Sequence, residues 1–174
     1  MLDFLSRHNP RGLVARFIAA PAALTVFLVL YGTLGIGQAQ TPEDGCDASA
    51  PANIQVTVEK VRSSEGLITA VLYADNPETF LKKGARLDRI RVDAREGETT
   101  LCLQAPAAGR YSVALYHDEN GNKEFDKDFL GIPSEGYGFS KNPGFRFGVP
   151  KQEETLFAVE DAPVSLRIAM LYLH

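Results

Sequence analysis

Between His117 and Glu135 the chain concentrates the side chains best suited to chemistry. Asp118, Asn120, Asn122, Glu124 and Asp126 put an oxygen-bearing side chain at every second position, and Gly121 supplies a permissive backbone among them. Side-chain oxygens at loop positions one, three, five and nine, with a backbone carbonyl at seven, encircle a hard cation in calcium-binding helix-loop-helix sites. Asp118, Asn120, Asn122 and Asp126 fill the side-chain positions, and the Glu124 carbonyl falls at the seventh. The correspondence then stops, because Lys123 stands where the turn glycine belongs and Phe129 where the bidentate glutamate belongs. Gly131 and Pro133 also bar a following helix. The pattern predicts a partial oxygen cage on a β-hairpin, holding Ca²⁺ weakly at about 0.1–1 mM unless Asp128 or Glu135 folds back to close it. The competing expectation is a run of Asx-turns in which these side chains bond their own backbone.

Catalysis has a thinner basis. His117, Asp118, Glu135 and Tyr137 are the residues that could converge as acid, base and nucleophile, which would make an extracellular hydrolase. Nothing in the spacing fixes the separation of Asp118 and Glu135 at the roughly 5–10 Å that paired-carboxylate chemistry needs. The chain has no Gly-x-Ser-x-Gly, no His-Glu-x-x-His and no phosphate loop. His117 continues the apolar face of a strand, a place that suits a hydrogen-bonded histidine at the core edge. The expectation is a protein without enzymatic activity. Glu135, Tyr137 and Phe139, on a glycine-rich stretch, offer instead a binding surface for sugars, peptides or lipid-derived ligands; the opposing expectation is that the two rings plug the end of the fold.

Strands must position these groups. Ile54, Val56 and Val58 alternate with polar residues, Ser63 to Gly66 turns the chain, and Leu67 to Tyr73 returns as a nearly continuous apolar run. Glu78 to Gly84 reads as one helical turn or an irregular crossing anchored by Phe80 and Leu81. Ile90 and Val92 mark a third strand, flanked by basic residues that suit a solvated edge; Glu96-Gly97-Glu98 marks a turn, and Thr99 to Gln104 a fourth strand. Tyr111 to His117 alternates with Val113 and Leu115 on one face. Phe139 to Pro150 is Gly- and Pro-rich, and its Phe139, Phe145 and Phe147 are expected over the sandwich end. Leu156 to Val159 is a short strand, and Val164 to Tyr172 alternates as the last. The fold class is therefore all-β, a single antiparallel β-sandwich of about seven strands with no long helix.

The runs HDENGN, FD and FLGIPSEGYGFSKN, with IQVTVEKVRSSEGLITAVLY upstream and VSLRIAMLYL downstream, resemble an exported bacterial family known as domain of unknown function 2141. The resemblance covers nearly all of the chain after the leader. It implies a small antiparallel β-sandwich of immunoglobulin or transthyretin type, and it implies no activity.

The first 40 residues read as apart from that fold. Arg7, Arg11 and Arg16 precede the apolar stretch Phe17 to Leu34, and Gly37-Gln38-Ala39 offers the small residues a signal peptidase needs. A cleaved signal peptide over 1–39 is expected, then a linker over 40–52 and the sandwich over 53–174; the alternative is a retained anchor at about residues 17–36. Either way the rest is exported, to periplasm or medium. Cleavage would take 18 Lys plus Arg to 15 and 22 Asp plus Glu to 21, a net charge of −6. Such a surface, without a basic run, excludes nucleic acid as the expected partner. An unknown envelope or extracellular ligand is expected, with the membrane touched only through an uncleaved leader. Cys46 and Cys102 both follow the leader, where thiols oxidise, and a bridge between them is expected; a buried Cys102 thiol with Cys46 free is the alternative.

Overall fold

The computed structural model describes residues 53–144 and 148–173. Eight strands form two sheets: β1 (Asn53–Val61), β2 (Leu67–Ala74), β3 (Arg86–Asp93), β4 (Gly97–Gln104), β5 (Gly109–Asp118), β6 (Gly136–Phe139), β7 (Phe157–Val159) and β8 (Val164–Ala169). One sheet has the order β4-β1-β8, the other β3-β2-β5-β6, with β7 also on β5. The leader, the linker and Cys46 lie outside the described residues, as do Phe145, Phe147 and His174.

The two sheets face each other across one core. Ile54, Val56, Val58, Leu101, Leu103 and Ile168 from the smaller sheet meet Ile68, Leu72, Val113, Leu115 and Val159 from the larger. Each of the larger side chains contributes about 1.5–3 kcal/mol through burial. The β1 alternation is realised directly: Ile54, Val56 and Val58 have no exposure, while Gln55 and Thr57 face away. Every pairing is antiparallel except β1 with β8, which run parallel from Ile54–Val164 to Glu59–Ala169.

Strand β2 shows why its sequence is apolar without alternation. Ile68, Ala70 and Leu72 enter the core, yet Val71 and Tyr73, which point to the opposite face, are buried as well. A layer of side chains therefore covers the outside of the larger sheet. Phe80, in the loop before β3, belongs to that layer, and a single turn of 3-10 helix (Lys83–Ala85) leads into β3. β3 is an edge strand, as its charged residues led us to expect.

The stretch Gly136–Phe139, read from sequence as an open loop, is instead strand β6. Four residues with two glycines carry too weak a period-two signal to register as a strand. β6 pairs with the C-terminal half of β5 and β7 with its N-terminal end. Ser140 fills the gap between them: its N–H donates to the Val113 carbonyl (2.9 Å), and its Oγ accepts from the Val113 N–H (3.0 Å).

Candidate functional site

His117 and Asp118 end β5, and the loop that follows them returns to Glu135 just ahead of β6, so the acidic segment hangs between two paired strands. Register fixes the faces. His117 lies opposite Gly136 and Tyr116 opposite Tyr137, which puts His117 in the core and both tyrosines on the outer face.

The first three of the alternating residues, Asp118, Asn120 and Asn122, turn an oxygen onto the backbone. Asp118 Oδ2 accepts from the Lys123 N–H (2.7 Å), Asn120 Oδ1 from the Asn122 N–H (2.9 Å), and Asn122 Oδ1 from the Glu124 N–H (2.7 Å). The Nδ2 groups of Asn120 and Asn122 both donate to Asp126 Oδ2, at 2.7 and 2.8 Å. Gly121 and Lys123 take φ of 69° and 67°, the left-handed backbone such a coil requires; the position where a glycine was expected is met by a lysine held in the same conformation. The Asx-turn geometry is thus present, and a side-chain amide oxygen that accepts one N–H retains a second lone pair.

Glu135 reaches into this coil from just ahead of β6. Its Oε2 accepts from the Asp126 N–H at 3.0 Å. Burial pushes its carboxyl above the usual carboxylate range; the Asp126 N–H opposes that, and the charges of Asp126 and Asp118 add to it. Asp118 has no exposure and Glu135 only 5%, yet Asp118 Oδ1 and Glu135 Oε1 have no hydrogen-bond partner. Asp128, by contrast, is used locally: Oδ1 accepts from the Leu130 and Ile132 N–H groups, at 2.8 and 2.9 Å, and shapes the tip of the loop. Among the described residues no three His, Cys, Asp or Glu side chains form a ready metal cluster.

His117 has no exposure, and both its ring nitrogens are engaged. Nε2 lies 2.7 Å from the Glu65 carbonyl, which can only accept, so Nε2 carries the proton. Nδ1 therefore accepts from the Tyr172 hydroxyl at 2.8 Å, and Tyr172 Oη accepts in turn from the Arg62 N–H at 3.2 Å. Burial pushes the Tyr172 hydroxyl up, which keeps it a donor at neutral pH. Arg62 also grips Glu119 through two bonds, Nε to Oε1 (2.8 Å) and Nη2 to Oε2 (2.5 Å). Of the four residues considered for catalysis, the structure brings Asp118 and Glu135 to one loop, spends both nitrogens of His117, and puts Tyr137 on the other side of the sheet.

Tyr137 and Phe139 do not plug the end of the sandwich. They join a continuous run of rings across the outside of the larger sheet: Tyr73 on Phe80 (5.6 Å between centroids), Phe80 on Phe139 (6.3 Å), Phe139 on Tyr137 (6.1 Å), Tyr137 on Phe125 (6.2 Å) and Phe125 on Tyr116 (5.5 Å). Most meet tilted or edge to face, the arrangement ring quadrupoles favour. All of these rings except Phe80 border a groove of about 520 Å³, rimmed by Arg86 and Lys127. The loop tip stands beside it, with Phe129 95% and Leu130 69% exposed. Sequence reasoning found two of the six rings. The available signal was that Tyr116 precedes the acidic run and Phe125 interrupts it; Tyr73 and Phe80 have no local signal, because only tertiary packing brings them there.

Comparison with curated proteins and with solved structures finds no match. Residues 56–167 match the family model described as "Uncharacterized protein conserved in bacteria (DUF2141)", and with well over half of its length so matched, carrying both the acidic loop and β6, the chain belongs to that family.

Proposed function

We propose that the protein is an exported, non-catalytic binding module of the bacterial cell envelope, and that its ligand site is the aromatic groove on the outer face of the larger sheet. The observation that carries this reading is the unbroken run of six rings, five of which (all but Phe80) border about 520 Å³. Small-molecule sites typically enclose 300–1,000 Å³ with apolar and aromatic walls and few polar groups. Val71, Leu81, Leu130, Ile132 and Val149 complete those walls, and Arg86 and Lys127 are the cations there. Arg86 Nε is buried without a hydrogen-bond partner. That combination suits an amphiphile with an apolar body and an anionic end, such as a fatty acid, better than a sugar, which would need more hydrogen-bonding groups along the walls. Export is read from the arginine-flanked apolar leader over residues 1–39, whose removal is part of the proposal, as is a Cys46–Cys102 bridge formed outside the cytoplasm.

Titration with a fluorescent fatty acid tests the site. Saturable binding, displaced by unlabelled fatty acid and weakened about tenfold or more by Tyr137→Ala, is expected. Absence of binding, or equal binding by Tyr137→Ala and Arg86→Ala, refutes it. Binding of an oligosaccharide at the same groove in place of the fatty acid would reassign the ligand.

A further inference from the structure

We propose that the loop from Asp118 to Glu135 is a Ca²⁺ site in which Glu135, held just ahead of strand β6, supplies the acidic ligand that the first nine positions lack. The side-chain oxygens of Asp118, Asn120, Asn122, Asp126 and Glu135 and the backbone carbonyl of Glu124 form the set. Two buried carboxylates each keep an oxygen without a hydrogen-bond partner: Asp118 Oδ1 at the end of β5 and Glu135 Oε1 just ahead of β6. Asp118 is 0% and Glu135 5% exposed. The Glu135 carboxylate is aimed into the coil, since its other oxygen takes the Asp126 N–H. A buried carboxylate oxygen is costly unless something satisfies it.

The charge balance points to the same occupant. Among the described residues, none of Asp118, Asp126 and Glu135 has a lysine, arginine or histidine ion-pair partner, and Arg62 pairs with Glu119 instead. The charges of Asp118 and Asp126 thus reach Glu135 without a paired cation, and the nearest guanidinium contact in the loop, from Arg91, is spent on the Lys123 carbonyl at 3.3 Å. Asp128, the other residue that could have closed the loop, is only half-buried, and its Oδ1 caps the turn at Leu130 and Ile132, which holds it at the loop tip.

The donor set selects the ion. Three of the six donors are carboxylates, which by themselves form no ready cluster, and three are amide or carbonyl oxygens. Calcium takes six to eight oxygens in flexible geometry, magnesium demands a stricter octahedron, and zinc favours nitrogen and sulfur. The six residues supply six oxygens, or seven if Glu135 binds through both. This inference does not depend on what the groove binds; it adds that a cation would tie Glu135 to the loop and hold β6, with Tyr137 and Phe139 on it, in place.

Terbium luminescence tests it directly. The Tyr116 hydroxyl donates to the Lys123 carbonyl at 3.3 Å, so an ion in the loop has a sensitising ring beside it. We expect sensitised Tb³⁺ emission that Ca²⁺ displaces and Mg²⁺ does not, and a melting temperature raised by Ca²⁺ relative to EDTA. Glu135→Gln should lower Ca²⁺ affinity about tenfold or more. In EDTA it should melt no lower than the parent, because the amide oxygen still accepts from Asp126 while one like charge is gone. Asp128→Asn should keep parental Ca²⁺ affinity. A parent melt unchanged by about 10 mM Ca²⁺, or undiminished Ca²⁺ affinity in Glu135→Gln, overturns the site. A Glu135→Gln protein that loses stability in EDTA but keeps the full Ca²⁺ shift overturns it too, and leaves an Asx-rich turn.

Discussion

Replacing Tyr172 by Phe removes one oxygen and almost nothing else, which makes it the sharpest test of the His117 network. The ring stays, and with it the Arg62 guanidinium stacked 4.5 Å from the ring centroid. The lost hydroxyl bridges two groups of different standing. The Arg62 N–H belongs to an exposed residue and can turn to water. His117 Nδ1 belongs to a side chain with no exposure and is left a buried acceptor without a donor. An orphaned buried acceptor costs about 1–3 kcal/mol. For a domain of this size each kcal/mol lowers the melting temperature by about 3–5 °C, so a fall of about 3–15 °C is expected in a thermal melt followed by circular dichroism. In a His117→Leu background the same substitution should cost far less, giving a coupling energy of about 1 kcal/mol or more in a double-mutant cycle. A Tyr172→Phe protein melting within about 1 °C of the parent, or equal costs in both backgrounds, would refute the tautomer and bonding assigned to His117.

Other outcomes follow from single features. Gly66 has φ +67°, and a Cβ there would lie 2.0 Å from the Asp118 carbonyl oxygen; Gly66→Ala should therefore destabilise by more than the about 1 kcal/mol of left-handed backbone alone, and denaturant unfolding measures it. Phe129 is 95% exposed, so Phe129→Ser should change stability by less than about 0.5 kcal/mol, checked in the same experiment. Thiol titration of the unfolded, unreduced mature protein should find no free thiol if Cys46 and Cys102 pair; two free thiols would remove the bridge.

What the sequence disclosed depended on how local its cause was. Period-two alternation located β1, β5 and β8 because each buries one face. β3 begins at Arg86, four residues ahead of the Ile90 that signalled it, since charged and half-buried residues alternate along an edge. The acidic spacing from Asp118 to Asp126 was visible, and Glu135 was one of two residues, with Asp128, that could fold back on it; the choice between them was not legible, because only the return of β6 beside β5 brings the Glu135 carboxylate to the Asp126 N–H nine residues away. The partner of His117 was hidden for the same reason, 55 residues away at Tyr172. The groove was half seen, because Tyr137 and Phe139 stand in a conspicuous glycine-rich run whereas Tyr73 and Phe80 meet them only across the sheet.

The parallel pairing of β1 with β8 sets the order in which this domain can be completed. β1 is the middle strand of its sheet, and one of its two edges is covered by β8, whose Val164 sits against Ile54. A chain delivered N-terminus first therefore holds an open row of N–H and C=O groups along β1 until nearly all of the domain has emerged, and Ile168 and Met170 cannot yet close the core. Joining such distant segments requires closing a very long loop before any contact repays it, which slows folding to the millisecond-to-second range of high-contact-order β proteins. Until then its bare strand edge stays open to pairing with other chains, the hazard that a late-arriving strand leaves behind.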